Sequence, residues 1–415
     1  MTRKDLHRRH QPHVVIIGTG FGGLGMAIEL KRAGIDTFTI LEKASEVGGV
    51  WRENTYPGAA CDIPSPYYSF SYEPNPAWPA RFSRQPDIQA YMRRVVDKYD
   101  LRQHIRFDTE VTAATFDEQS GQWHLDTAAG ERITSDVFVP ATGQLSRPAM
   151  PNIPGVESFR GEAFHSATWD HSVELTGKRV AVIGTGASAV QFVPEIQPKV
   201  ERLTVFQRSA PWILPRPEVE YRPWHHTMFQ RLPITQLLER FGFWLLCEVL
   251  ALGLVDVKPI RLAVAAISRR HLRKQVPDPV LRVKVTPDYA PGCKRGLFSD
   301  DYLPALGRPN VEVETTGISE ILAHGIRTED GVVREADVIV YGTGFKATEF
   351  LAPMAIHGLD GQKLADVWNE GPHAYLGMTV PGFPNLFIMY GPNTNLGVGS
   401  IIYMLESQAR YIRQA

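Results

Sequence analysis

Two segments of the chain pass from an apolar strand through a glycine turn into a helix, and nothing else in the sequence restricts the fold as much. They are His13–Ala33 and Arg179–Ile196. A strand, a turn too tight for side chains and a helix form the opening of a βαβ unit, whose strands lie parallel in a sheet covered by helices. A chain of 415 residues has room for two such units, each with its own core. The expected fold class is therefore α/β, with two Rossmann-type dinucleotide-binding domains and a helical insertion.

In the first unit, the strand Val14–Ile17 enters Gly18-Thr19-Gly20-Phe21-Gly22-Gly23, which fits G-x-G-x-x-G. Gly18 permits the turn, Gly20 lets the backbone approach a pyrophosphate, and Gly23 permits close helix–strand packing. The anion then meets free N–H groups at a helix N-terminus. The next strand, Thr37–Leu41, ends at Glu42, where an acid can accept from a ribose hydroxyl. The motif alone does not choose between FAD and NAD. Gly48-Gly49-Val50-Trp51, a second glycine pair directly after the acid, suits a large flavin nucleotide.

The second unit runs from Val180–Ile183 into Gly184-Thr185-Gly186-Ala187-Ser188-Ala189, a G-x-G-x-x-A form. Its next strand, Leu203–Phe206, is followed by Gln207-Arg208-Ser209, with no acid at the ribose position. A guanidinium there pairs with a 2′-phosphate, so Arg208 points to NADP(H). Two such sites in one chain suggest hydride passing from a nicotinamide to a flavin. The three cysteines, Cys61, Cys247 and Cys293, form no C-x-x-C pair and no metal-ligand cluster. A disulfide reductase is thereby disfavoured, O2 is left as the acceptor, and sparse cysteine fits a reducing cytoplasm. A formal net charge of -1 argues against nucleic acid as a partner.

Elsewhere, Tyr91–Tyr99 reads as helix, Ile105–Phe116 and Trp123–Thr127 as strands around a turn at Gln119–Gly121, and Leu405–Arg413 as a further helix. Asp136–Val139 is a strand ending in Ala141-Thr142-Gly143, and Ala336–Tyr341 one ending in Gly342-Thr343-Gly344. Asn385–Met389 reads as a last strand, before the glycine-rich Gly391–Gly399. The proline-rich Arg147–Gly155 is a linker, and Tyr221–Pro277 a helical insert. Within it, Phe241–Val255 carries a central Glu248 and falls short of the ~20 residues needed to span a bilayer. It reads as a buried helix, with a membrane-surface or substrate-entry helix as the alternative. The basic segment Met1–His13 reads as a tail, since the apolar run behind it is too short for a signal-peptide core.

Two longer motifs carry a resemblance. Phe159-Arg-Gly161-Glu-Ala-Phe-His165-Ser-Ala-Thr-Trp169-Asp170 resembles the FxGxxxHxxxW(P/D) fingerprint of type I Baeyer–Villiger monooxygenases, and Gly49-Val-Trp51 through Tyr56-Pro57-Gly58 to Asp62 resembles their GxWxxxxYPGxxxD fingerprint. The resemblance runs from Val14 to Gln408 and includes Gly292-Cys293-Lys294-Arg295. It implies an FAD-containing, NADPH- and O2-dependent enzyme that converts a ketone to an ester or lactone through a C4a-peroxyflavin. It implies Arg295 as the arginine stabilising the peroxide and Asp62 as the carboxylate paired with it. Lys294, Arg208 and Ser209 become 2′-phosphate contacts, and His165 and Trp169 couple the linker to movement of the NADP domain. Thr142, Gly143 and Gly344 join the nucleotide-binding set. The implied layout is an FAD domain from residues 10–146 and 330–415, a linker at 147–155, and an NADP domain at 156–329 with its insert at about 221–277. Such proteins continue for several dozen residues beyond a segment like Leu405–Arg413, so the resemblance also implies a C-terminal active-site segment past Ala415. Two other readings stay open: a flavin monooxygenase acting on nitrogen or sulfur, and a non-catalytic relative that binds both nucleotides.

Overall fold

The structure, a computed structural model, describes residues 11–254 and 257–415. Most of the expected basic tail, and Val255 of the expected apolar helix, lie outside the described residues. The first sheet is built from β1 (Val14–Ile17), β2 (Phe38–Leu41), β3 (Ile105–Arg106) and β4 (Val137–Pro140), in the order β3-β2-β1-β4. All its pairings are parallel, with Val14 opposite both Phe38 and Val137. The Val-Val-Ile-Ile run of β1 suits this central place, because a parallel strand is covered on both faces and its β-branched side chains pack there. Helix α1 (Phe21–Arg32) follows β1 and ends in Lys31 and Arg32, whose charges favour a helix C-terminus.

The second sheet contains β5 (Glu162–His165), β6 (Arg179–Ile183), β7 (Arg202–Phe206), β8 (Val311–Glu314) and β9 (Val338–Tyr341), in the order β8-β7-β6-β9-β5. Helix α2 (Ala187–Ile196) follows β6. Because β9 pairs with β6 and β5, it belongs to the second sheet. The segment expected to open the second part of the FAD domain at residue 330 thus contains a strand of the second sheet.

Three other expectations need correction. Ile105–Phe116 is not one strand: Asp108 takes a left-handed backbone (φ 51°), and the chain turns from β3 into Val111–Asp117 of a separate, mixed sheet. Asn385–Met389 forms only an isolated bridge from Leu386 to Phe138, since Asn385 and Tyr390 are left-handed at both ends (φ 55° and 58°). The helix expected at Tyr91–Tyr99 is present but starts earlier, spanning Gln85–Lys98.

The insert folds as α3 (Pro223–Arg231), α4 (Pro233–Leu254) and α5 (Lys258–Gln275). The reading of Phe241–Val255 as a buried helix is overturned. Phe243, Trp244 and Cys247 pack on the core, whereas Phe241, Leu245, Leu246 and Leu252 stand 47–55% exposed. A helix apolar all round gives no sequence signal of which face packs. No helix among the described residues is long and apolar enough to cross a membrane. The last helix, α6 (Ile401–Gln414), covers α1, and Arg413 Nε reaches Glu29 at 2.8 Å.

Candidate functional site: two nucleotide cradles and the junction between them

The two sheets present their glycine turns in the same way. Gly18 (φ 98°) lies against the Ala141 carbonyl that follows β4, and an added Cβ would stand 2.9 Å from that oxygen. Gly184 (φ 109°) lies against the Gly342 carbonyl that follows β9, which a Cβ would overlap. Each turn thus needs a residue with no side chain. Thr142 and Gly143 continue past the first turn, and Gly344 belongs to the second.

Gly20 and Gly186 are the N-caps of α1 and α2. Neither helix has a side-chain cap or an acid in its first turn. The first-turn N–H groups therefore lack side-chain acceptors and suit an anion. Gly23 packs on the Gly18 carbonyl, and Gly49 lies across Gly20, where its Cβ would stand 3.1 Å from the Gly20 Cα. Trp51 donates from Nε1 to the Tyr68 hydroxyl at 3.1 Å. Glu42 sits buried at the end of β2, as expected. It also braces the turn, accepting from Thr19 N at 2.9 Å, Thr19 Oγ1 at 2.6 Å and Ala44 N at 3.0 Å, with Arg52 at 3.2 Å. A ribose hydroxyl would have to replace one of these donors.

At the second cradle, Arg208 is exposed just after β7. Lys294 Nζ donates to Ser209 Oγ at 2.6 Å and lies 4.8 Å from the Tyr289 ring centre. The structure thus brings the Lys294 cation to the hydroxyl of Ser209, the chain neighbour of Arg208, across 85 residues of sequence. Ser188, in the first turn of α2, lies beside Tyr56.

Two connections join the sheets and run side by side. Pro148 bridges Phe345, Ala149 N donates to the Gly344 carbonyl at 2.9 Å, and Thr343 Oγ1 donates to the Ala149 carbonyl at 2.6 Å. His165 ends β5 beside them. Its Nδ1 accepts from Ala167 N at 3.0 Å, so the neutral ring carries its proton on Nε2, and the ring faces Phe345 edge-on at 5.9 Å. Burial pushes its pKa below the usual histidine value, against an opposing contact with the Gly344 backbone. Phe159 packs near Gly161 and in the cluster of Ile339 and Tyr341. Trp169 packs between Phe164 at 5.1 Å and Phe192 at 5.3 Å. Asp170 reaches neither cradle: it accepts from Ser172 N at 2.9 Å and Ser172 Oγ at 2.6 Å, capping a surface turn.

Asp62 accepts a hydrogen bond from Gln191 Nε2 on α2 at 3.0 Å, and the charges of Arg295 and Arg216 act on it. Burial drives the Asp62 carboxyl above the usual carboxylate range, while Arg295, then Arg216, then a hydrogen bond from Gln191 oppose the shift. The expected Asp62–Arg295 partnership is not a closed ion pair: the charge of Arg295 acts on the Asp62 carboxyl without a direct contact. Among the described residues Arg295 closes no ion pair, and it is exposed. Its charge also reaches Cys61, Tyr68 and Tyr390. Gln191 and Arg216 beside Asp62, and Tyr390 under the charge of Arg295, lie outside the residues expected from the sequence. A signal existed for Gln191: Ser188, Gln191 and Glu195 recur at i, i+3 and i+7, a polar stripe on an otherwise apolar helix.

Two parallel sheets, each offering a glycine turn and a bare helix N-terminus, define a protein built to hold two dinucleotides. Residues 11–249 match the flavin-binding monooxygenase-like family model. A Baeyer–Villiger monooxygenase of Pseudomonas aeruginosa is 49% identical over 402 residues, covering 97% of this chain and 76% of that protein. One of Streptomyces coelicolor is 47% identical over 409 residues, covering 98% and 78%. Among solved structures, an open form of cyclohexanone monooxygenase matches with a TM-score of 0.87 at 31% identity, over 98% of this chain and 87% of that one. An oxidised steroid monooxygenase bound to NADP matches with a TM-score of 0.85 at 32% identity, over 97% and 84%. The chain belongs to the flavin-binding monooxygenase-like family.

Proposed function

We infer that the protein is an FAD-containing Baeyer–Villiger monooxygenase that uses NADPH and O2 to convert a ketone to an ester or lactone. The balance is ketone, NADPH, a proton and O2 giving ester, NADP+ and water. FAD, when bound, accepts hydride from NADPH and supplies the electrons that activate O2. The observation that carries the reading is the junction itself: a partly buried carboxylate under the charge of two guanidinium groups and hydrogen-bonded to α2, the helix of the second cradle.

The chain's own groups divide the work. The α1 N-terminus, Gly18, Gly20, Gly49 and the Glu42 carboxylate hold FAD, with Thr142 and Gly143 beside them. The α2 N-terminus, with Gly184, Gly186 and Ser188, holds the NADP(H) pyrophosphate, and Arg208, Ser209 and Lys294 take the 2′-phosphate. Arg295 supplies a guanidinium that stabilises negative charge developing on oxygen. Asp62 balances that charge and keeps the guanidinium in place. His165, at the end of β5 with its ring against Phe345, couples the paired connections to movement of the second domain, acting as a hinge. The FAD domain comprises residues up to 146 and from 345 onward, with the NADP domain at 156–344. Cytoplasmic NADPH and the unpaired state of Cys61, Cys247 and Cys293 suit each other.

The nearest rival is oxidation of a soft nitrogen or sulfur, which needs an electrophilic oxygen donor. A cation that holds developing oxyanion charge favours the nucleophilic course. The test offers NADPH and O2 with a panel of ketones and a panel of sulfides, and identifies products. Ester or lactone as the main product supports the reading, and sulfoxide without ester overturns it.

A further inference from the structure

Gln191 makes four hydrogen bonds, all to the segment that carries Asp62. Its Nε2 donates to Asp62 Oδ1 at 3.0 Å and to the Ala60 carbonyl at 3.0 Å. Its Oε1 accepts from the Tyr56 hydroxyl at 3.0 Å and from Ala60 N at 3.2 Å. The amide cannot be turned over, because Ala60 presents a carbonyl at one end and an N–H at the other. The donor end therefore faces Asp62.

The surrounding packing fixes the same relation. Gly58 (φ 78°) lies flat on α2, where a Cβ would stand 2.7 Å from the Gln191 carbonyl and 2.8 Å from Glu195 Cγ. The Tyr56 ring faces Phe192 at 6.2 Å, and Trp169 packs against the same Phe192. Thr55 Oγ1 meets His171 Nε2 at 2.9 Å. The two long sequence motifs thus meet across α2, one turn beyond the N–H groups that receive the second nucleotide.

We propose that Gln191 is a positioning residue: it ties the helix that binds NADP(H) to the Asp62 carboxylate, so that the placement of the second domain sets where Asp62 stands relative to Arg295. This deepens the proposed function and rests on it. Movement of α2 carries Gln191 with it, and Asp62 follows through the amide. The groups facing Asp62 are Arg295 and Arg216 as cations, Gln191 as donor, and Cys61 and Tyr56 as neutral neighbours pushed up to about 12 by burial. A hydrogen bond to the charged carboxylate favours ionisation, so losing it raises the Asp62 pKa.

The experiment compares Gln191→Leu, which loses all four bonds, with Gln191→Glu, which keeps an acceptor for Tyr56 and Ala60 N but loses the donor. Deuterium exchange at the Ala60 amide is read alongside the partition of NADPH between ester and hydrogen peroxide. In Gln191→Leu, Ala60 exchange rises about tenfold, as for loss of one backbone bond. In Gln191→Glu, Ala60 exchange stays near the parent rate. In both, ester per NADPH falls severalfold more than flavin reduction does, peroxide release rises, and the acid limb of ester formation moves to higher pH. The infrared carboxyl band missing from Asp62→Asn titrates at higher pH in Gln191→Leu. A parent-like partition and acid limb in Gln191→Glu would overturn the proposal, as would an equal slowing of flavin reduction and ester formation in both variants. If Gln191→Leu does not fold, Gln191→Glu decides. If the parent makes no ester from any ketone, the proposed function fails, and the Ala60 exchange and the Asp62 band still judge the tie on their own.

Discussion

Replacing Arg208 by alanine removes one of the two cations proposed to take the 2′-phosphate. A charge-assisted hydrogen bond contributes about 1.5–3 kcal/mol. Arg208 and Lys294 are both exposed, so water and salt screen them and the lower end applies. Each ~1.4 kcal/mol is a factor of ten in affinity. The parent should therefore prefer NADPH over NADH by at least about tenfold in flavin reduction, and Arg208→Ala should erase most of that preference. Lys294 is already oriented by its 2.6 Å bond to Ser209 and its place over Tyr289, so the double variant Arg208→Ala/Lys294→Ala should lose about another tenfold. The assay is anaerobic stopped-flow bleaching of the flavin with either donor across a range of salt. The NADPH advantage should shrink as salt rises, while the NADH rate stays flat. Equal parent rates with both donors, or an unchanged ratio in Arg208→Ala, would refute the assignment of this corner to a 2′-phosphate.

Two other outcomes follow from the junction and the hinge. Arg295→Ala should keep FAD and still be bleached by NADPH, while ester formation falls about a hundredfold, the scale of losing one oxyanion donor; ester at the parent rate by product assay would remove Arg295 from this role. His165 has a depressed pKa, so as pH falls the unfolded chain takes up the proton first, near the ordinary value of 6.5. Its contribution to stability is present above that value and is lost below it; His165→Asn should flatten the fall in melting temperature between about pH 6.5 and 5, and an unchanged slope would count against the hinge reading.

The cradles were legible because their signal is local. Gly18, Gly20, Gly184 and Gly186 answer to a turn and a helix start within a few residues, and Arg208 to its place after one strand. The second-domain boundary was not legible, because β9 pairs with β6 across more than a hundred residues of intervening chain, and its own residues suit either sheet. The exposed face of α4 was hidden for a related reason: with apolar residues all round, its sequence could not say which side meets the core. The Asp62 environment was half legible. The motif marked Asp62, and the resemblance supplied Arg295. The amide that holds the carboxylate lies 129 residues away on another sheet's helix, and Arg216 comes from a stretch with no motif at all.

The central claim is that one oxygen atom of O2 enters a carbon–carbon bond beside a carbonyl. The direct measurement incubates the enzyme with NADPH, a ketone and 18O2, and analyses the product by mass spectrometry. The expected product is an ester or lactone carrying one 18O in its bridging position, in equal amount to the NADP+ formed less any hydrogen peroxide released. Unlabelled ester, or NADPH consumed with hydrogen peroxide as the sole oxygen product across the whole ketone panel, would contradict it.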